Sequence, residues 1–125
     1  MHTFQHEART CPGIRCCSVF SLQRDAGAAQ TWKPRELILV DDCSGDETLD
    51  MLRALESRYG DWIRVLAMHV NVGAAGARNA GWHAASSTYV AFLDADDAWH
   101  PQKINVQCTY MQANPEVALS GHLCR

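Results

Sequence analysis

The chain has 125 residues, 47% of them hydrophobic and 20% charged, with a formal net charge of −3. That length suits one small domain with a packed core, the composition excludes wholesale disorder, and the charge excludes a broad basic surface for nucleic acid. No apolar run reaches the roughly 18–20 residues needed to cross a bilayer.

Residues 1–27 carry no sustained period and read as an unmatched start, disordered or foreign to the rest, with a divergent first strand at Arg15–Phe20 as the rival reading. They lack the basic-then-apolar order of a secretory signal. Cys11-Pro12-Gly13 is a turn signal, and Ser18-Val19-Phe20-Ser21-Leu22 fits a short helix or a short strand. The six cysteines, Cys11, Cys16, Cys17, Cys43, Cys108 and Cys124, form no C-x-x-C pair. Free thiols in a reducing compartment are expected rather than a zinc site.

From Glu36 the pattern sharpens. Leu37-Ile38-Leu39-Val40 is a continuous apolar run between Pro34 and Asp41-Asp42, as in a strand covered on both faces. Ser44 with Glu47 reads as a capping box, followed by a helix with Leu49, Leu52, Leu55 and Tyr59 on one face and Gly60 as its stop. Residues 62–68 predict a second strand. Asn71-Val72-Gly73 predicts a loop, and residues 74–85 an Ala-rich helix. Residues 89–93 predict a third strand. Pro101 predicts the first turn of another helix, with Ile104, Cys108 and Met111 inward. Val117-Ala118-Leu119 predicts a further strand.

This β-α-β-α-β-α-β order predicts a mostly parallel sheet flanked by helices. Ligands of such sheets bind beyond the carboxyl ends of the strands. Asp41 and Asp42 follow one strand, Asn71 another, and Asp94, Asp96 and Asp97 a third. Carboxylates crowded at a strand end are costly unless a cation sits among them. Hard ions such as Mg²⁺ or Mn²⁺ take oxygen ligands of this kind and share them with phosphates. The plainer reading of the same residues is a solvated acidic turn.

Residues 30–48, with Leu37-Ile38-Leu39-Val40-Asp41-Asp42-Cys43-Ser44-Gly45-Asp46-Glu47-Thr48 at their centre, resemble a strand segment of family 2 glycosyltransferases. Asn71-Val72-Gly73 with Ala77-Arg78-Asn79-Ala80-Gly81, then Phe92-Leu93-Asp94-Ala95-Asp96-Asp97 with Trp99, Pro101 and Lys103, resemble its next two blocks. The resemblance covers about residues 28–122 and makes 28–125 a partial GT-A domain that binds a nucleotide-diphospho-sugar donor. It implies that Asp41, Asp42, Asn71, Gly73, Arg78 and Asp94 bind the donor, and that Asp94, Asp96 and Asp97 serve a divalent metal, Mg²⁺ or Mn²⁺.

The same resemblance implies metal-dependent, inverting transfer to a glycan, lipid-linked sugar or polysaccharide acceptor. The expected place is the cytoplasm, with peripheral attachment to the inner face of the membrane as in relatives that use lipid-linked acceptors. The family's catalytic base lies beyond its D-x-D block, so none is assigned, and the chain reads as an incomplete copy without transfer of its own. The alternative is a non-catalytic remnant that binds nucleotide or metal. The family's first strand, with a Pro-x-Tyr-Asn-like turn, has no match in residues 1–30. Its loss would leave the strand at 37–41 with an exposed edge. Phospho-acceptor domains need a Lys after a later strand, and none stands between Lys103 and Arg125. Haloacid-type phosphatases need Thr or Val soon after D-x-D, where Ala98 stands.

Overall fold

The computed structural model describes residues 9–10, 14–19, 30–94 and 99–121, with the backbone alone for residues 9–10, 14–19 and Asp94. The elements are β1 (Arg9–Thr10), β2 (Ile14–Val19), β3 (Trp32–Lys33), β4 (Glu36–Asp41), α1 (Thr48–Tyr59), β5 (Ile63–Ala67), α2 (Gly73–Ala84), β6 (Tyr89–Asp94) and α3 (Lys103–Ala113). Four strands form one parallel sheet in the order β5-β4-β2-β6. β1 and β3 pair separately, also in parallel.

The uninterrupted apolar run in β4 is explained by helices on both faces. Leu37 and Leu39 point to one side, where Leu52 of α1 and Ile63 and Val65 of β5 complete a buried cluster. Ile38 and Val40 point to the other, where Ala77 of α2 lies fully buried against them. The small Ala side chain lets helix and sheet backbones approach closely. α3 buries Ile104 and Cys108 against Trp32, Tyr89 and Trp99. Trp99 also packs against the Leu37 cluster, so α1 and α3 share a face.

β2 corrects the expected gap in the sheet. It pairs with β4 from Arg15–Glu36 to Val19–Val40 and with β6 from Ile14–Tyr89 to Val19–Asp94. β4 therefore has a neighbour on each side, and the outer positions fall to β5 and β6. The strand expected at 117–119 does not form. That segment has no regular structure, and Leu119 is 88% exposed. Nor do all cysteines remain free thiols. Cys108 is disulfide-bonded, whereas Cys43 is free and exposed.

The helix ends also differ from the sequence reading. Ser44 and Glu47 do not form a capping box. Ser44 turns back to Asp41, and Asp46 Oδ1 accepts the Thr48 N–H at 3.0 Å. The Thr48 hydroxyl and N–H hold the Asp46 carboxyl below its ordinary range. Gly60 does end α1, at φ +57°, a conformation favouring a residue without Cβ. Tyr59 is exposed and meets Trp62 edge-on, with ring centroids 5.9 Å apart. Pro101 sits in a turn just before α3 rather than within it.

The outer edge of β5 is partly covered from within. Glu56 of α1 reaches over and accepts the Val65 N–H through Oε1 at 2.8 Å, while Oε2 accepts from Arg53 at 2.8 Å. The Val65 N–H, then Arg53, hold the Glu56 carboxyl below its ordinary value near 4.5. A depressed carboxylate stabilises the fold above its unfolded pKa and ceases to do so as pH falls through its folded pKa. The wild-type melting temperature should therefore fall more steeply from about pH 5 to about pH 3 than that of Glu56→Gln. Parallel pH curves for the two proteins would refute this.

Candidate functional site

In a parallel sheet every strand delivers its carboxyl end to the same edge. β4 ends at Asp41, β5 at Ala67 and β6 at Asp94. Val19 is level with both Val40 and Asp94, and Asp41 is level with Ala67. The acidic ends of β4 and β6 thus flank the end of β2.

Asp41 is 1% exposed. Its carboxylate accepts the Ser44 N–H at 3.3 Å and the Ser44 hydroxyl at closer range. Its carbonyl accepts the Met68 N–H at 2.8 Å. Cys43 occupies the left-handed region at φ +60°, which reverses the chain sharply enough for Ser44 to reach back. Asp41 is therefore consumed in forming the turn.

Asp42 is half-buried and faces a different partner. Its Oδ1 accepts the Val72 N–H at 2.7 Å, and its carbonyl accepts from Asn71 Nδ2 at 3.3 Å. Asn71 Oδ1 in turn accepts the Gly73 N–H at 3.1 Å. Gly73 opens α2 at φ +76°, where a side chain would be strained. Asp42, Asn71 and Gly73 are thereby brought into one hydrogen-bonded unit that ties the β4 turn to the start of α2. Arg78 lies further along that helix, half-buried, next to Ala77. Asp94 ends β6 on the same sheet edge. Asp96 and Asp97 lie outside the described residues.

Two contributors escaped the sequence reading. Ser44 was assigned to a helix cap, although it closes the Asp41 turn. Gly76 was not singled out. A Cβ there would lie 2.7 Å from Val72 Cβ and 2.8 Å from Val72 Cγ2. The signal was present as a Gly four residues after a β-branched residue at a helix start. Gly76→Ala should lower stability by about 1 kcal/mol, the low end for overpacking. It should also disturb the Val72–Asp42 bond. An unchanged urea midpoint would show that Val72 moves aside freely.

Among the described residues no three His, Cys, Asp or Glu side chains gather closely enough to hold a metal. The donors available at the edge are carboxylate oxygens, which suit Mg²⁺ or Mn²⁺ and not a soft ion.

The model for glycosyl transferase family 2 matches residues 22–123. An uncharacterized glycosyltransferase from Nostoc sp. is 39% identical over 95 residues, which cover 76% of this chain and 29% of that protein. The UDP-Glc:alpha-D-GlcNAc-diphosphoundecaprenol beta-1,3-glucosyltransferase WfaP of Escherichia coli is 37% identical over 90 residues, covering 70% of this chain and 34% of WfaP. The crystal structure of S. aureus TarS 1-349 in complex with UDP superposes with a TM-score of 0.66 at 21% identity, over 82% of this chain and 33% of that one. The chain spans about a third of the length of these relatives. The likeness to TarS shows the fold, an α/β arrangement of the GT-A type.

Proposed function

The chain belongs to glycosyl transferase family 2, and from that premise we propose that its carboxyl sheet edge binds a nucleotide-diphospho-sugar donor for transfer of the sugar to an acceptor. The observation that carries this reading is the Asp42–Asn71–Val72–Gly73 unit, set on the same parallel-sheet edge as Asp94. That edge is where open α/β sheets take their ligands.

The two neighbouring carboxylates divide the work. Asp41 holds the turn, and Asp42 keeps one oxygen on Val72 and offers the other to an N–H of the base. Asn71 and Gly73 shape the floor beneath the nucleotide. Arg78 offers a forked cation to the base or the diphosphate. Asp94, Asp96 and Asp97 would hold the ribose and a divalent ion. Such an ion, when bound, offsets the charge that develops on the diphosphate leaving group. The acceptor class we propose is a lipid-linked sugar or polysaccharide, as the name of WfaP suggests for that relative. Transfer is proposed to invert the anomeric centre, with a carboxylate base outside the residues assigned here. No helix among the described residues is long and apolar enough to cross a membrane. The place proposed is the cytoplasm, with peripheral attachment to the inner face of the membrane.

Calorimetry with uridine diphosphate, the nucleotide bound by TarS, tests the reading. Heat of binding should appear with Mn²⁺ and vanish with excess chelator. Equal heats in both conditions would remove the metal role, and none in either would remove the site. Asp42→Asn should weaken binding severalfold while leaving the melting temperature in place, because an amide oxygen can still accept the Val72 N–H.

A further inference from the structure

Gln30 is 3% exposed, and both ends of its amide serve one segment far along the chain. Nε2 donates to the His100 carbonyl at 2.9 Å, and Oε1 accepts the Ile104 N–H at 3.1 Å. The neighbouring Thr31 adds an N–H bond to the Pro101 carbonyl at 2.8 Å. Ile104 is the second residue of α3, and its N–H is among the four that a helix leaves without an internal acceptor. Gln102, at the N-cap, makes no capping bond with its side chain. The cap is supplied instead from the segment that leads into β3.

The neighbourhood reinforces this tie. Ile104 and Cys108 pack on Trp32, on Tyr89 at the start of β6, and on Trp99. Lys103 Nζ lies 4.2 Å from the centre of the Trp99 ring. The connection from β6 to α3 is therefore held at both ends by different means. Its start at Asp94 is fixed by the ladder to β2, and its end at 100–104 is fixed by Gln30 and Thr31.

We propose that Gln30 is a positioning residue for ligand binding: by fixing the start of α3 relative to Asp94, it sets the carboxylate edge at which a divalent ion and a diphosphate bind. The inference rests on the reading given under Proposed function. A buried amide suits the task because it is uncharged and uses a donor and an acceptor at once, so its own geometry is fixed by two backbone groups. It touches neither ligand and acts only through the segment it holds.

The test compares the full chain with Gln30→Ala and Gln30→Glu. Three readouts are needed: melting temperature, affinity for uridine diphosphate in Mn²⁺, and the electron paramagnetic resonance line shape of bound Mn²⁺. Gln30→Ala should weaken Mn²⁺-dependent binding tenfold or more and alter the Mn²⁺ line shape at temperatures where the protein is fully folded. Gln30→Glu keeps an acceptor for the Ile104 N–H, and should restore part of the affinity and line shape. A lower melting temperature with unchanged affinity and line shape in both variants would reduce Gln30 to a structural cap and overturn the proposal alone. Should Gln30→Ala not fold, wild-type affinity and line shape in Gln30→Glu, which loses the bond to His100, would overturn it equally. If the wild type binds no nucleotide in Mn²⁺, the functional reading falls, and this inference with it.

Discussion

Replacing Asp96 with Asn should weaken Mn²⁺-dependent binding of a nucleoside diphosphate at least tenfold, about 1.4 kcal/mol. The substitution keeps an oxygen of similar reach but removes a negative charge. A hard divalent ion gains most from anionic oxygens, and in the proposed donor complex a diphosphate would bring further negative charge to it. Without a cation, carboxylates and diphosphate repel each other across a short distance. The loss should therefore be confined to binding in the presence of metal, and the melting temperature of the ligand-free protein should hold or rise slightly. Calorimetry at matched ionic strength, with Mn²⁺ and with chelator, makes the comparison. Wild-type affinity in Asp96→Asn would remove Asp96 from the proposed metal ligands, with Asp94→Asn as the next substitution to measure.

Ile38→Ala should have the largest effect on stability, about 2–5 kcal/mol. Ile38 has no exposed surface and lies with Val40 beneath the buried Ala77 of α2. Removing three carbons there leaves a cavity that closes only if helix and sheet move together. Ala77 has no length to give, and α2 is tied at its start through Val72 and Gly73 to Asp42 and Asn71. Collapse is thus opposed from the start of α2. Urea unfolding reads the change as a lower midpoint with an unaltered slope. A cost below about 1 kcal/mol would mean that α2 is packed more loosely than its contacts indicate.

Part of the fold was legible because burial on both faces leaves an unbroken apolar run, and such a run marks β4 directly. Leu52, Ile104 and Cys108 were correctly placed inward by helical spacing. β2 was legible only as the rival reading, a divergent strand at Arg15–Phe20, for the opposite reason. Ile14-Arg15-Cys16-Cys17-Ser18-Val19 shows neither alternation nor an unbroken apolar run, and its place in the sheet is set by backbone pairing to β4 and β6. Residues 117–119 look strand-like by propensity, but among the described residues nothing pairs with them. β-propensity expresses fit to a neighbouring strand and cannot act without one. In the candidate site, the sequence placed Asp41 and Asp42 together but could not separate their partners. That distinction depends on the positive φ of Cys43, a backbone property that no composition rule assigns to cysteine.

The strand order β5-β4-β2-β6 also has a consequence for the order of assembly. During synthesis β2, β4, α1, β5 and α2 emerge first and can join as one wing, since their contacts are comparatively local. β6 emerges later and must return across the whole wing to dock on the far side of β2, a closure whose entropic cost grows with the intervening chain. Half of the candidate site, Asp42 with the 71–73 loop, thus belongs to the early wing, and Asp94 belongs to the late one. A nucleotide held by both halves would slow the departure of the late strand, so the same ligand would act as a latch on the last step of folding. Hydrogen exchange would register this as protection gained first in β6, the late-docking strand at the far edge of the sheet.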